Sequence, residues 1–505
     1  MKAFGVILYV CLMVGIGYLS MKRTRTVSDF FLGNRSIGPW VSAFAYGTTY
    51  FSAVLFIGYA GKVGWGFGLS SLWIVAGNTL IGTFLAWMVL ARRTREMTSR
   101  LNAMTMPEFL AARYDSRAMK IVAALIIFIF LVPYSASVYM GLSHFFEAAF
   151  GIPFAWALAG MAGLTSLYLI MGGYFAITLA DFVQGLVMIA GVIFLVFFVI
   201  TDPHVGGLRE GIQRLAAINP QLTKPVGPPG WLPLLSLVIL TSLGPWGLPQ
   251  MVQKFYSIKN EQAIPHAVAV STIFALLMTF GAYFTGAFGR LFFNNQMPLV
   301  NGKPNPDMIM PNIVTIALPE LIGVVILLLV LAASMSTLAS LVLVSSSSIA
   351  IDLVQGVLSP QMEKKRVMLL LRILCLVFIA FSVYLALKPT IILVLMSLSW
   401  GTVAGAFLGP YLYGLFWPGA TRAGAWAGML AGLFTSLGLA WYYKMDAGVI
   451  PTIGSAAMLF PLLVVPIVSS LTRGFSQEHL NKVFGRMEPI PTVKSGKGLV
   501  TNDLG

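Results

Sequence analysis

The chain has 505 residues, of which 58% are hydrophobic and 10% charged, with a formal net charge of +15. A soluble protein of this length cannot hide that much apolar surface, so that class is excluded. The positive charge does not call for a nucleic-acid partner, because it sits mainly in short connections beside apolar runs, where anionic lipid headgroups suffice.

Apolar runs of roughly 20 residues can cross a bilayer. Thirteen such spans are predicted: 3–20, 39–61, 69–91, 119–149, 153–173, 178–201, 231–253, 263–289, 320–354, 367–387, 389–415, 421–442 and 449–472. The fold class is therefore an all-α polytopic membrane protein, one transmembrane domain over 1–475 with a polar tail at 476–505. The first run, Gly5 to Ser20, is followed by Lys22, Arg23 and Arg25 and by no small-residue cleavage site. It reads as a membrane helix and not as a cleaved leader. Cys11 and Cys375 both fall inside apolar spans, which argues against a disulfide framework.

Basic residues concentrate in the connections 21–38, 92–118, 254–262 and 355–366 and in the tail. With 416–420, these are predicted to be cytoplasmic, which puts the N-terminus outside and the C-terminus in the cytoplasm. The host is then the cell membrane, plasma or inner, crossed many times. The longer loops 202–230 and 290–319 fall outside.

Two spans are punctuated unlike the rest. The second reads AFAYGTTYFSAVLFIG, with Gly47, Thr48 and Thr49 in mid-membrane. The seventh reads SLVILTSLGPWGLPQMVQ, with Gly244, Pro245, Gly247 and Pro249 close together. Proline removes a helical donor and glycine loosens the backbone, so a break is predicted in each. Each opens a block of five spans, 39–201 and 231–415, and five is odd, so the second block enters inverted. Broken helices in corresponding positions of inverted repeats mark the binding site of many secondary transporters.

Charges inside spans are few. Asp181 lies a few residues into the sixth span; Asp352 and Arg372 sit near helix ends, within reach of the cytoplasmic interface. Asp181 is either an interfacial cap or a functional acid, since a membrane acid is costly without a partner. The ninth span carries Ser334, Ser336, Thr337, Ser340 and Ser345 to Ser348 where lipid contact would favour Leu, Ile and Val. Positions 336, 337 and 340 share a helical face. Two readings fit. Small residues let membrane helices pack closely. Alternatively, the hydroxyls, joined by the Ala333 carbonyl if an adjacent helix is opened, suit a hard monovalent cation such as sodium.

Four stretches together resemble the sodium:solute symporter family. They are Gly33-Asn34-Arg35-Ser36-Ile37-Gly38; Gly172-Gly173-Tyr174-Phe175-Ala176 with Asp181-Phe182-Val183-Gln184; Pro249; and Ala333 to Thr337. The resemblance implies a LeuT-type fold with a five-plus-five inverted repeat. It implies sodium as the coupling ion, a small organic solute as partner and no organic cofactor. The implied sodium site uses Thr48, Phe51 and Ala333 carbonyls and Ser336 and Thr337 hydroxyls. A second sodium site or relay, found in some members, maps to Asp181, Ser336 and Ser340, with Ala339 where those members have another serine. Tyr134, thirteen residues before Glu147, resembles the substrate tyrosine of proline carriers. Those carriers have a tryptophan in place of Thr241 and an aspartate in place of Tyr50. The run Thr49-Tyr50-Phe51-Ser52-Ala53 is closer to pantothenate and monocarboxylate carriers. Tyr46, Thr49, Tyr50, Tyr134, Thr241, Pro245, Trp246 and Pro249 are thus the candidate substrate or gate residues.

The function implied is sodium-coupled import of a small carboxylate-bearing solute by alternating access. A sodium-gated channel or sensor on the same scaffold is the first alternative, although no repeated filter motif is found. An integral-membrane enzyme comes last: His144, His204, His266 and His479 are scattered and form no metal-protease or nucleophile motif.

Overall fold

The structure, a computed structural model, describes residues 2–21, 35–300, 302–388 and 390–485, without the side chains of 19–21, 167–173 and 175. Gly33 and Asn34 of the entry motif, the Phe175 side chain and the tail beyond 485 lie outside the described residues. Apart from a hairpin of β1 (Leu299–Val300) and β2 (Lys303–Pro304) in the loop 290–319, the described elements are helices.

Helix α1 (Lys2–Met21) precedes α2 (Pro39–Tyr50), which starts on Pro39, where a missing N–H costs nothing. Helix α2 stops after twelve residues: Phe51 turns to φ −105°, ψ 96°. The chain resumes as a π-helical stretch, Val54–Tyr59, and α3 (Ala60–Phe67). Gly68 ends α3 at φ +60°, where an added Cβ would lie 2.3 Å from Leu222 O, so both conformation and space require glycine. Next come α4 (Leu72–Thr79), extended by π-helical turns into α5 (Arg92–Arg100), α6 (Met106–Tyr114) and α7 (Arg117–Phe150). Helix α8 (Phe154–Thr201) runs unbroken through two expected spans. Its 48 residues correspond to about 72 Å of straight helix, over twice the hydrocarbon thickness. The junction holds glycines but no proline, and glycine alone costs a helix only about 1 kcal/mol per residue.

Helix α9 (Leu208–Ile218) lies in the loop 202–230. The seventh span is α10 (Trp231–Gly247) and α11 (Pro249–Tyr256), which meet at Leu248 with a 46° bend. Helices α12 (Ile264–Ala287), α13 (Ile309–Ala317) and α14 (Glu320–Ser347) follow, the last continuing in π-helical turns to Leu358. The chain ends with α15 (Lys364–Ala386), α16 (Ile392–Phe416), α17 (Arg422–Tyr442), α18 (Ile450–Ser470) and α19 (Gln477–Phe484).

Among the described residues nine helical runs are long and apolar enough to cross a membrane, or ten with the bent α10–α11 pair. The expected thirteen are not reproduced as separate spans. The break leaves α2 short, the apolar part of α1 and the piece Phe154–Ser166 are short as described, and the third expected span continues from α3 in one run, Val54–Arg100. The most enclosed spans are α16 and α14, 94% and 72% buried, against 33% for α15. Helices α14 and α16 therefore form the interior, and α15 faces outward. Close approach makes part of this packing: a Cβ on Gly64 would meet the Gly286 backbone at 2.1 Å.

The basic connections meet at one end of the bundle. Arg95 donates to Ile258 O and Lys259 O, Arg35 to Tyr256 O and Ala103 O, Arg117 to Val357 O, and Arg113 to Gly414 O and Trp417 O. Two residues expected near this interface lie deeper. Asp352 is fully buried, accepting from Thr105 Oγ1 at 2.6 Å, and Lys254 is 1% exposed. At the opposite end the buried Asp307 accepts from Ile392 N at 3.1 Å, tying the loop before α13 to the start of α16.

Burial pushes the Asp307 carboxyl up to about 6, against the opposing pull of His144, the Ile392 amide and Lys62. A raised carboxyl binds its proton more tightly in the folded chain, so this group favours folding most at low pH. Its contribution should be lost as pH rises from about 4 through about 6. Thermal unfolding in detergent across that range should show the decline in the wild type and lose it in Asp307→Asn.

Candidate ion and solute site

The break in α2 frees carbonyls in mid-bundle, and α14 lies against it. Ser336 Oγ is 3.0 Å from Thr48 O, 3.0 Å from Ala332 O and 3.1 Å from Ala333 O. Thr337 Oγ1 is 3.2 Å from Thr48 O and 3.3 Å from Thr49 O. Each hydroxyl has one proton, so each can satisfy only one of these carbonyls. All of these residues are fully buried. Thr48 Oγ1 is also buried without a hydrogen-bond partner. The set is oxygen-only and uncharged. Four of the five residues singled out as an ion site thus converge: Thr48, Ala333, Ser336 and Thr337. Phe51 sits at the break, its amide donating to Gly47 O and its ring stacked on Tyr50 at 4.1 Å. The Thr49 carbonyl, not expected in the set, joins it.

The second group lies one helical turn further along α14. Ser340 Oγ is 3.0 Å from Thr49 Oγ1 and 3.1 Å from Lys254 Nζ. Lys254 Nζ lies 3.6 Å from Asp181 Oδ2 and over the Tyr174 ring at 5.2 Å. Asp181 and Lys254 are both fully buried. Sequence reasoning put Lys254 at the start of a cytoplasmic connection. Nothing in the sequence separates it from an interface lysine, whereas in the structure every residue of Pro249–Tyr256 is buried.

Among the candidate substrate residues, Tyr46, Tyr50 and Tyr134 join an aromatic cluster beside the break. Tyr46 OH donates to Gly82 O at 2.7 Å, and Tyr50 OH to Thr241 O at 2.6 Å. Tyr134 meets Trp400 edge to face at 5.7 Å, and Trp400 lies 6.1 Å from Tyr50. Trp400 was missed in the sequence because one tryptophan in an apolar span looks like ordinary packing. Trp246 is half-buried, donating to Ile81 O, and Pro245 is inside α10. Pro249 belongs to a different region: it lines a cavity of about 10 Å³ with Thr105, Gln253 and Asp352, toward the basic end. That volume holds at most a water.

A helical bundle with two interrupted helices meeting an oxygen cradle defines a secondary transporter of the LeuT type. The matched family model is the Sodium:solute symporter family, over residues 30–432. The chain belongs to that family and is a multi-pass membrane transporter, not an enzyme. It is 32% identical to the sodium/proline symporter of Salmonella typhimurium over 448 residues, 87% of each chain. It is 31% identical to the osmoregulated proline transporter of Bacillus subtilis, covering 85% of this chain and 87% of that one. Among solved structures it matches a Na+-coupled sialic acid symporter with a TM-score of 0.76 at 18% identity, covering 94% of this chain and 98% of that one. A nucleobase-cation-symport-1 family transporter in a closed conformation matches with a TM-score of 0.54 at 14% identity, over 92% and 100% of the two chains.

Tyr50→Phe leaves the Thr241 carbonyl, whose i+4 partner in α10 is Pro245 and has no N–H to give, without its cross-helix donor. A buried group that loses its partner costs about 1–3 kcal/mol. We expect a lower thermal midpoint in detergent for Tyr50→Phe and no comparable drop for Tyr442→Phe, at an exposed ring at the end of α17.

Proposed function

We propose that the chain is a sodium-driven symporter that imports a small carboxylate-bearing organic solute, proline-like, monocarboxylate or pantothenate, by alternating access. The observation that carries this reading is the convergence of the Thr48, Thr49 and Ala333 carbonyls with the Ser336 and Thr337 hydroxyls. Five neutral oxygens suit a hard monovalent ion; a divalent ion would call for carboxylates. Zinc or copper would call for nitrogen or sulfur. Sodium here is cargo, and its binding joins the broken α2 to α14. An ion that binds one arrangement of these helices better than another biases the chain toward it, and solute binding is coupled to the same shift.

For the solute, the helix break offers backbone donors. The stretch starting at Val54 and the helix α11 both present N-terminal N–H groups near the bundle centre, where an anionic group is stabilised without an arginine. Tyr46, Thr49, Tyr50, Tyr134, Thr241 and Trp246 would form the walls, with Trp400 added and Pro249 on the inward gate. The relatives named for proline support a solute of that size. The exchange of aspartate for Tyr50 and of tryptophan for Thr241 supports a pocket shaped differently from theirs, because these two positions touch each other here.

The unit over 1–475 would act as one domain built of the inverted repeats 39–201 and 231–415, with the tail 476–505 in the cytoplasm. The basic end of the bundle faces the cytoplasm on the positive-inside rule, leaving the N-terminus outside. In a chain with Cys11 and Cys375 replaced by serine, we expect a cysteine introduced at Lys2 to label from outside and one at Lys482 only from inside. Labelling of both from one side overturns this topology.

Uptake into proteoliposomes should be screened with proline, pantothenate, lactate, pyruvate, acetate and sialic acid, with and without a sodium gradient. Ser336→Ala and Thr337→Ala each remove one of five oxygens. Each should raise the sodium concentration for half-maximal uptake about tenfold, the equivalent of about 1.4 kcal/mol. Wild-type sodium activation in the double variant rules the site out.

A further inference from the structure

Away from the ion cradle, one cavity combines ligand size with an unpaired cation. It measures about 620 Å³ and lies at the end of the bundle opposite the basic connections, between the chain after α8, helix α9 and the chain after α12. Cavities of that size hold small organic ligands. Ala217, Ile218 and Leu291 give it an apolar wall, and Arg214, Arg290 and His204 a basic one. Among the described residues no carboxylate lines it.

The three basic groups are not equivalent. Arg214 directs its N–H groups to Glu210 at 2.6 Å and to the Pro203 and His204 carbonyls. His204 Nδ1 is 2.7 Å from Asp202 Oδ1. Arg290 has no acid partner among the described residues, unlike these two. Its Nε donates to Trp65 O at 2.8 Å and its Nη1 to Asn295 Oδ1 at 2.6 Å. The guanidinium lies over the Trp65 ring, 5.1 Å from the centroid. Two of five N–H donors are thus used and three remain. Asn295 reaches Arg290 through a turn of two left-handed residues, Asn294 at φ +48° and Asn295 at φ +61°, a conformation asparagine tolerates. Capping the last turn of α3 accounts for the bond to Trp65 but leaves the charge unpaired. A guanidinium fixed by two bonds and a ring is a ready partner for a carboxylate, which accepts from two N–H groups at once.

We propose that this cavity binds a small aliphatic carboxylate, its anionic end on the spare N–H donors of Arg290 and its apolar body against Ala217, Ile218 and Leu291, and that binding steadies α3 through the Arg290–Trp65 bond. The apolar wall and the single unpaired charge favour a monoanion with a hydrocarbon body over inorganic phosphate. Trp65 belongs to α3, the part of the second span beyond the break. A ligand that fixes Arg290 also fixes the carbonyl it holds, so occupancy and the placing of α3 bias each other. The topology given above puts the cavity outside. None of its residues belongs to the ion cradle or the aromatic cluster, so it can be tested apart from symport.

Radiolabelled butyrate is the probe, in equilibrium dialysis against the purified full-length protein in detergent with choline in place of sodium. Wild type should bind it saturably. Arg290→Gln should weaken binding about tenfold or more. Ala217→Trp, which fills the cavity and leaves the Arg290 bonds in place, should do the same, and it decides if Arg290→Gln does not fold. Butyramide, of the same shape without the charge, should not displace butyrate. No saturable binding to wild type, or wild-type binding in a folded variant, overturns the site. Displacement by inorganic phosphate as readily as by unlabelled butyrate overturns the carboxylate assignment. For the link to α3, amide hydrogen exchange over 54–67 should slow severalfold with butyrate in the wild type and not in Ala217→Trp. Unchanged exchange in butyrate-saturated wild type overturns the link. Loss of all sodium-driven uptake from the solute screen would overturn the symport reading and leave the butyrate result standing.

Discussion

The structure depends on one constraint: a backbone carbonyl inside a membrane must find a partner. An unbroken helix meets that need internally, and this is why spans are helices at all. Breaking α2 after Tyr50 removes that solution for Thr48 and Thr49. Their carbonyls are instead met by Ser336 and Thr337 across the interface with α14. The ninth span therefore has to be rich in small hydroxylated residues opposite the break, and its interior has to be tightly enclosed. Because two hydroxyl protons serve more than two carbonyls, the arrangement is held together without being saturated.

Much of this was legible in the sequence, for a physical reason. Membrane solvent forces apolar runs, so the spans stand out; breaks need glycine and proline, so Gly47, Pro245 and Pro249 mark them. Hydroxyls in a span contradict lipid exposure, so Ser336 and Thr337 stand out against Leu and Val. The break itself came slightly later than the glycine, at Phe51, because the helix holds until a residue leaves the helical region. What was not legible depended on tertiary distance. Lys254 reads as an interface residue by its charge and its position near a span end. Only the fold of α11 back into the bundle buries it against Asp181. Asp352 misled in the same way: near a helix end, it is covered by Thr105 and Lys120 from two other segments. The span count failed where helices merge or shorten, since hydropathy reports the length of an apolar run and not where its helix starts or stops.

The aromatic side of the site shows how two departures from relatives can be one change. Taken singly, a tyrosine for an aspartate at position 50 and a threonine for a tryptophan at 241 both look like losses of a proline-type pocket. In space the two positions meet: the Tyr50 hydroxyl ends on the α10 backbone at Thr241. The small Thr241 side chain leaves room for that ring, and its own hydroxyl turns back to Leu237 O.

Charge burial organises the basic end of the bundle. The basic end is closed by side chains that cap carbonyls from neighbouring connections: Arg35 on Ala103 and Tyr256, Arg95 on Ile258, Arg113 on Gly414. Beneath that layer lie two acids with their own cations, Asp352 with Lys120 and Asp181 with Lys254. The two pairs differ in what they leave unsatisfied. Asp352 has a hydroxyl donor as well as an ammonium nearby, whereas Asp181 has only the ammonium. Separating either pair would leave a buried charge uncompensated, and the Lys254 ammonium is held further by Ser340 Oγ at 3.1 Å. The Asp181–Lys254 pair is also linked, through Ser340 and Thr49, to the oxygens that join α2 to α14.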